Sequence, residues 1–234
     1  MAYTEKQCAL PASRENASVA GWLSEKVLEP ARLGLAVDRG RWEEVADLGA
    51  STMHASVAKK AILAAIGHAR YETALNIGDR TKLNEARDFA SERLSGRFRQ
   101  AVEDKDAETI LSVGTVSDKF GFHAVDYFSG KRGFSPGKLA YLGEYAKHKT
   151  RDYALNSIIA LLNQAEGEKR GQLVEALTAI AHYAPDDTAK RAIDLAARTG
   201  MRGVVKTAER SGKTEAIKQH AGKALRGMDS RAPG

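Results

Sequence analysis

Apolar residues recur at three- and four-residue spacing along most of the chain. From Glu15 to Leu28, Val19, Trp22, Leu23 and Val27 fall on one side. Further stripes follow at Val57, Ala61, Ile62, Ala65; at Leu83, Ala86, Phe89, Ala90; at Phe120, Ala124, Phe128; and at Ala154, Leu155, Ile158, Leu162. A period near 3.6 predicts amphipathic helices that each bury one face. Pro30 and Gly34 are expected to interrupt the first of them, which reads as a cap over whatever follows.

The stripes repeat with the text of the sequence. Ala36 to Gly49, AVDRGRWEEVADLG, aligns without a gap to Ala101 to Gly114, AVEDKDAETILSVG, and Tyr71 to Asp79, YETALNIGD, matches the middle of the same pattern. Extending the register places anchors at Trp42, Tyr71, Ala107, Leu139, Leu173 and Val205. Their spacing averages about 33 residues, the length of one helical hairpin in repeat arrays. Second helices are expected to begin near Ser51, Thr81, Ser117, Thr150, Asp187 and Thr214, all residue types that accept free amide hydrogens at a helix start. The helix after Thr81 is expected over Lys82 to Leu94, and the link SGKRGFSP, Ser129 to Pro136, is expected to be a loop exposed on one face.

Near the C-terminus the pattern is clearest. In DTAKRAIDLAARTGMRGVVKTAERSG, Asp187 to Gly212, an alanine-rich helix ends at Arg198-Thr199-Gly200, and a second places Met201, Val204, Val205 and Ala208 on one face. The segment AIDLAARTGMRGVVKTAERSG resembles an ankyrin repeat in its alanine-rich helix, its central glycine and its Val-Val helix ending in glycine. It departs at Ala192, Ile193 and Asp194, where that family carries a threonine, proline, leucine, histidine signature. A hairpin of this kind cannot bury its apolar face alone and needs neighbours.

Composition agrees with an all-α fold: 43% hydrophobic, 28% charged, 6% aromatic and five prolines in 234 residues. The expected architecture is an α-solenoid of five to six hairpins. Residues 1–14 form an arm, 15–35 an N-terminal capping helix, 36–226 the repeat domain, and 227–234 a frayed end. No apolar run is long enough to span a membrane, and the first twenty residues lack a basic start followed by an apolar block. With Cys8 the single cysteine, a cytoplasmic, reducing setting is expected, although a protein delivered by a dedicated secretion machine begins in the same way.

The net charge of +6 changes the picture because of where it lies. From Arg198 onward nine basic residues face three acids, so this segment carries the whole excess. Arg202, Lys206 and Arg210, spaced four apart, share a helix face, and Lys213 and Lys218 continue the charge. These five are the candidate anion-binding residues, for nucleic acid or an anionic surface. The competing reading is a solvated outer face on a terminal hairpin.

Other chemistry is weaker. Gly212-Lys213-Thr214 resembles the end of a phosphate-binding loop, but Thr207 stands where the first glycine is required and a helical pattern precedes it. The six histidines show no metal-ligand spacing, and neither metal nor cofactor is expected. Trp42 with Glu43 and Glu44 has the composition of a nucleic-acid-processing site, and equally that of a packed helix start. The leading expectation is a non-catalytic module that binds another protein with the concave surface of the array. Nucleic acid is the alternative partner, and a helical-repeat enzyme acting on nucleic acid the third reading.

Overall fold

The computed structural model describes residue 21 and residues 23–230. The expected arm at 1–14, with Cys8, and the cap residues Val19 and Trp22 lie outside the described residues. The described residues form thirteen α-helices and no strand. The chain divides into two compact units, Met1–Leu94 and Ser95–Gly234.

In the first unit a π-type turn at Ser24–Leu28 leads into α1 (Glu29–Asp38), followed by α2 (Trp42–Ser51), α3 (Ala55–Gly67) and α4 (Tyr71–Arg80). Helix α1 packs on α2 and α3, and α4 packs on α2 and α3. Helix α5 (Asn84–Asp104) contains the boundary between the units. The second unit adds α6 (Ala107–Val116), α7 (Asp118–Ser129), α8 (Pro136–Tyr145), α9 (His148–Leu162), α10 (Gly167–Tyr183), α11 (Asp186–Arg198), α12 (Arg202–Ser211) and α13 (Glu215–Asp229). From α6 onward each helix packs on the next and on the one after that.

One turn recurs in detail. At the ends of α1, α3, α5 and α11 a residue enters the left-handed region: Gly40 (φ 64°), Ala69 (φ 55°), Lys105 (φ 58°) and Gly200 (φ 74°). The following amide reaches back to a helix carbonyl: Arg41 to Ala36 at 2.9 Å, Arg70 to Ala65 at 2.7 Å, Asp106 to Ala101 at 2.8 Å and Met201 to Ala196 at 2.8 Å. This is the Schellman closure, which satisfies carbonyls left open at a helix end. All four alanines are fully buried.

Thirteen residues beyond the first three alanines stand Gly49, Gly78 and Gly114, each the eighth residue of a ten-residue helix. A Cβ at these positions would lie 2.9 Å from the Ala61 methyl, 2.8 Å from Ala90 and 2.6 Å from Ala124. Glycine facing alanine therefore sets how closely α2, α4 and α6 approach the helices that follow them. The 65-residue text repeat encodes buried alanine, closing turn and close-packed glycine.

Several boundaries depart from the sequence expectation. Pro30 and Gly34 do not interrupt the first helix; both lie within α1. The preceding π turn, in which the Glu29 amide bonds to the Ser24 carbonyl, relieves the contact a proline ring would make with the turn before it. Ser51 is the last residue of α2 and not the start of α3, whose N-cap is His54; the Thr52 hydroxyl accepts from the His54 amide at 3.1 Å in the link before it. Thr81 does the same for Leu83 at 3.2 Å, and α5 then runs to Asp104, ten residues past the expected Leu94. No glycine or proline turn stands near Leu94 to end it; Gly96 is carried within the helix. Thr150 lies inside α9, which begins at His148, and Asp187 is the second residue of α11. Ser117 and Thr214 cap α7 and α13, accepting from the Phe120 and Ile217 amides. The anchors Leu139, Leu173 and Val205 fall inside α8, α10 and α12, whereas Trp42, Tyr71 and Ala107 open their helices. Helix α13 continues through Gly227 to Asp229, beyond the expected onset of fraying.

Candidate partner-binding groove and the basic strip

Helix α8 buries Leu139, Ala140, Leu142 and Gly143 and therefore turns Tyr141, Glu144 and Tyr145 outward. Tyr141 and Tyr145 are one turn apart, and their rings lie 4.5 Å between centroids. Helix α10, which buries Leu173, Ala176, Leu177, Ile180 and Ala181, packs alongside. Between the two lies a groove of about 390 Å³. Its lining combines small residues (Gly137, Ala140, Ala176, Ala179), of which Ala140 and Ala176 are buried, with Tyr141, Glu144, Gln172 and Glu175. Large residues at those small positions would fill the space.

Tyr183, at the C-terminal end of α10, continues the aromatic surface. It is 53% exposed, and Tyr145 and Tyr141 are 62% and 44% exposed. Three large aromatic faces left to solvent in one neighbourhood are uncommon on a surface with no work to do, because tyrosine combines a broad apolar area with a polar tip. His182 stacks on Tyr183 at 4.1 Å, and its carbonyl accepts from the Lys213 amide at 3.1 Å. That bond fixes the α12–α13 link against the end of α10.

Electrostatics mark the same place. Partial burial raises the Glu144 carboxyl above its ordinary 4.5, while the neighbouring Tyr145 hydroxyl and the Lys213 charge pull it back down. The Tyr145 phenol is raised in turn, chiefly by the negative charge of Glu144, with Tyr141 and Tyr183 adding to it.

The five residues expected to bind anions are distributed over the last hairpin. Arg202 opens α12 and forms an ion pair with Asp229 at the end of α13, 2.5 Å away. That bond holds the Asp229 carboxyl below its usual range and the guanidinium above its own. Lys206 and Arg210 are exposed one and two turns further along α12, and Lys206 also acts on Asp229. Lys213 lies in the link after α12 with its charge acting on Glu144, and Lys218 is half-buried on α13. Arg202 and Lys206 are thus brought together around an acid, while Lys213 belongs with the groove.

Trp42 is half-buried between the His68 ring, 5.1 Å away, and the Arg70 guanidinium, 5.7 Å away; Glu44 pairs with Arg41 at 2.8 Å. These groups pack and pair with each other at the start of α2. The link between α7 and α8 is folded back: the Ser135 amide bonds to the Phe128 carbonyl, and the Lys169 ammonium sits 4.3 Å over the Phe134 ring. No described helix is long and apolar enough to cross a membrane, and no group of three or more potential metal ligands lies together among the described residues.

Sequence reasoning did not single out the groove. Its walls come from helices some thirty residues apart, and the one local signal was the Tyr141–Tyr145 pair, on the face opposite Leu139 and Leu142. Comparison with protein-family models, characterised proteins and solved structures finds no match.

Proposed function

We propose that within each unit the hairpins stack as a helical-repeat array, with a period of about 33 residues and an ankyrin-like penultimate hairpin. We further propose that the chain is a non-catalytic module that binds another protein through the outward faces of α8 and α10. The repeated alanine turn, the glycine-to-alanine packing and the packing of alternate helices support the first part. The observation that carries the second is the exposed cluster of Tyr141, Tyr145 and Tyr183 beside a groove lined in part by small residues. Tyrosine is enriched among the residues that carry binding energy at protein interfaces, because it buries a large rigid area at low entropic cost.

The test is capture on the immobilised full chain, compared with a Tyr141→Ala, Tyr145→Ala, Tyr183→Ala variant and an Arg202→Glu, Lys206→Glu, Arg210→Glu variant. Loss with the first and survival with the second supports the reading. Undiminished capture by the tyrosine variant sinks it. Loss confined to the second variant, steepening with salt, favours the nucleic-acid alternative.

A further inference from the structure

The lining of the groove between α8 and α10 is acidic. The chain carries +6, yet this cavity's lining holds two carboxylates, Glu144 and Glu175, and no cation among the described residues. Three other cavities each carry arginine or lysine: Arg99 with Glu103 in one, Arg80 and Lys82 in another, and Lys105, Lys131 and Arg132 with Glu103 and Asp126 in a third. The acidic lining is joined to an aromatic wall, Tyr141, and to small residues, Gly137, Ala140, Ala176 and Ala179, that let a long side chain lie flat.

We infer that the α8–α10 groove receives an arginine or lysine side chain from a partner protein, its aliphatic stem on the small lining residues and its charged head between Glu144 and Glu175. The inference rests on the protein-binding reading above and specifies the chemistry of the partner. Three features of the occupant follow from three of the site. An aliphatic stem covers small apolar residues, a cation meets Tyr141, and its charge compensates the partly buried Glu144 beside the exposed Glu175. A carboxylate-bearing segment would meet like charge, and a neutral one would bury Glu144 further with only Tyr145 and Lys213 to offset the cost. Gln172 offers a further acceptor to a guanidinium head. Lys213 stands at the edge and acts on Glu144, so a bound cation competes with it for that carboxylate.

The experiment is amide NMR of the full chain titrated with the peptide acetyl-Gly-Gly-Arg-Gly-Gly-amide to millimolar concentration. A second titration uses the same peptide with citrulline, which keeps the shape and removes the charge. The expected result is saturable shifts at Gly137, Ala140, Ala176 and Ala179, with the citrulline peptide at least about tenfold weaker. A Glu144→Gln, Glu175→Gln variant should weaken the arginine peptide similarly while its spectrum stays folded. No shifts, shifts spread outside α8 and α10, or an unaffected glutamine variant would overturn the inference. Equal binding of both peptides in the groove would also overturn it while leaving the docking reading intact. That reading fails separately, if partner capture survives loss of the three tyrosines.

Discussion

The Asp118 carboxylate accepts both the backbone amide and the hydroxyl of Thr150, each at 2.9 Å. Thr150 is the third residue of α9, whose own N-cap, Lys147, provides no side-chain acceptor. The cap for α9 is therefore supplied by α7, 32 residues earlier. Asp118→Ala should cost about 1–3 kcal/mol, since it leaves a first-turn amide and a buried hydroxyl without their acceptor. Thr150→Val should cost less, because the amide keeps its carboxylate. Urea unfolding of the two variants checks the order; a costlier valine variant would place the energy in packing around Thr150 and not in the cap.

The close-packed glycines give a second test. Gly114→Ala puts a methyl group 2.6 Å from that of Ala124 and should destabilise by about 1–3 kcal/mol. Gly96→Ala, in α5 with nothing within 4 Å of the new Cβ, should stabilise by up to about 1 kcal/mol. Thermal unfolding of the pair measures the difference. A Gly114→Ala protein as stable as the parent would show that α6 moves away from α7 without penalty.

Ala69 and Lys105 hold positive φ without glycine's freedom, at 55° and 58°. Ala69→Gly should raise stability by about 0.5–1 kcal/mol, despite the larger entropy lost by glycine on folding. A loss of stability would mean that the Ala69 methyl makes contacts worth more than the strain.

These turns also show what the sequence made legible. The alignment of Ala36–Gly49 with Ala101–Gly114 was visible because alanine, turn and glycine each have a fixed role in it. The turn itself was read at Gly200, was not read at Gly40, and was hidden at Ala69 and Lys105, which hold the same conformation without being glycine. Helix lengths were poorly legible where one helix absorbs an expected end, as α5 does. The groove was hidden for another reason: Glu144 and Glu175, or Tyr145 and Tyr183, become neighbours only through the packing of α8 on α10.

The arginine peptide should also bind with a pH dependence. Glu144 titrates above 4.5 because it is partly buried, so it loses its charge earlier than an exposed carboxylate as pH falls. Glu175 on α10, Lys213 in the α12–α13 link and the Tyr145 phenol are the other ionisable groups around it, and the tyrosine stays neutral throughout this range. Affinity should therefore decline between neutral pH and about 4.5, and Glu144→Gln should flatten the upper part of the decline. The folding linkage has the opposite sign. A raised carboxyl favours the folded protein below its unfolded pKa, and that contribution is lost as pH rises through the folded value. Titrating peptide binding and urea stability over the same window separates the two.

Within the basic strip the arginine engaged by Asp229 should matter least. Arg210→Gln should shorten heparin retention more than Arg202→Gln, because Arg202 must first leave its partner to meet a sulfate. Equal effects across a salt series would show that the ion pair opens readily to a polyanion.

The carboxylate-to-threonine tie first seen at Asp118 and Thr150 has counterparts between Glu29 and Thr52 and between Asp186 and Thr214. The three span 32, 23 and 28 residues of a 234-residue chain. Each can close as soon as the next hairpin exists, at a modest loop entropy and without waiting for a distant segment. A chain joined in this way has low contact order and is expected to fold quickly. During synthesis it would bury each apolar face as the following hairpin leaves the ribosome, so that little of it is exposed to aggregation at any moment.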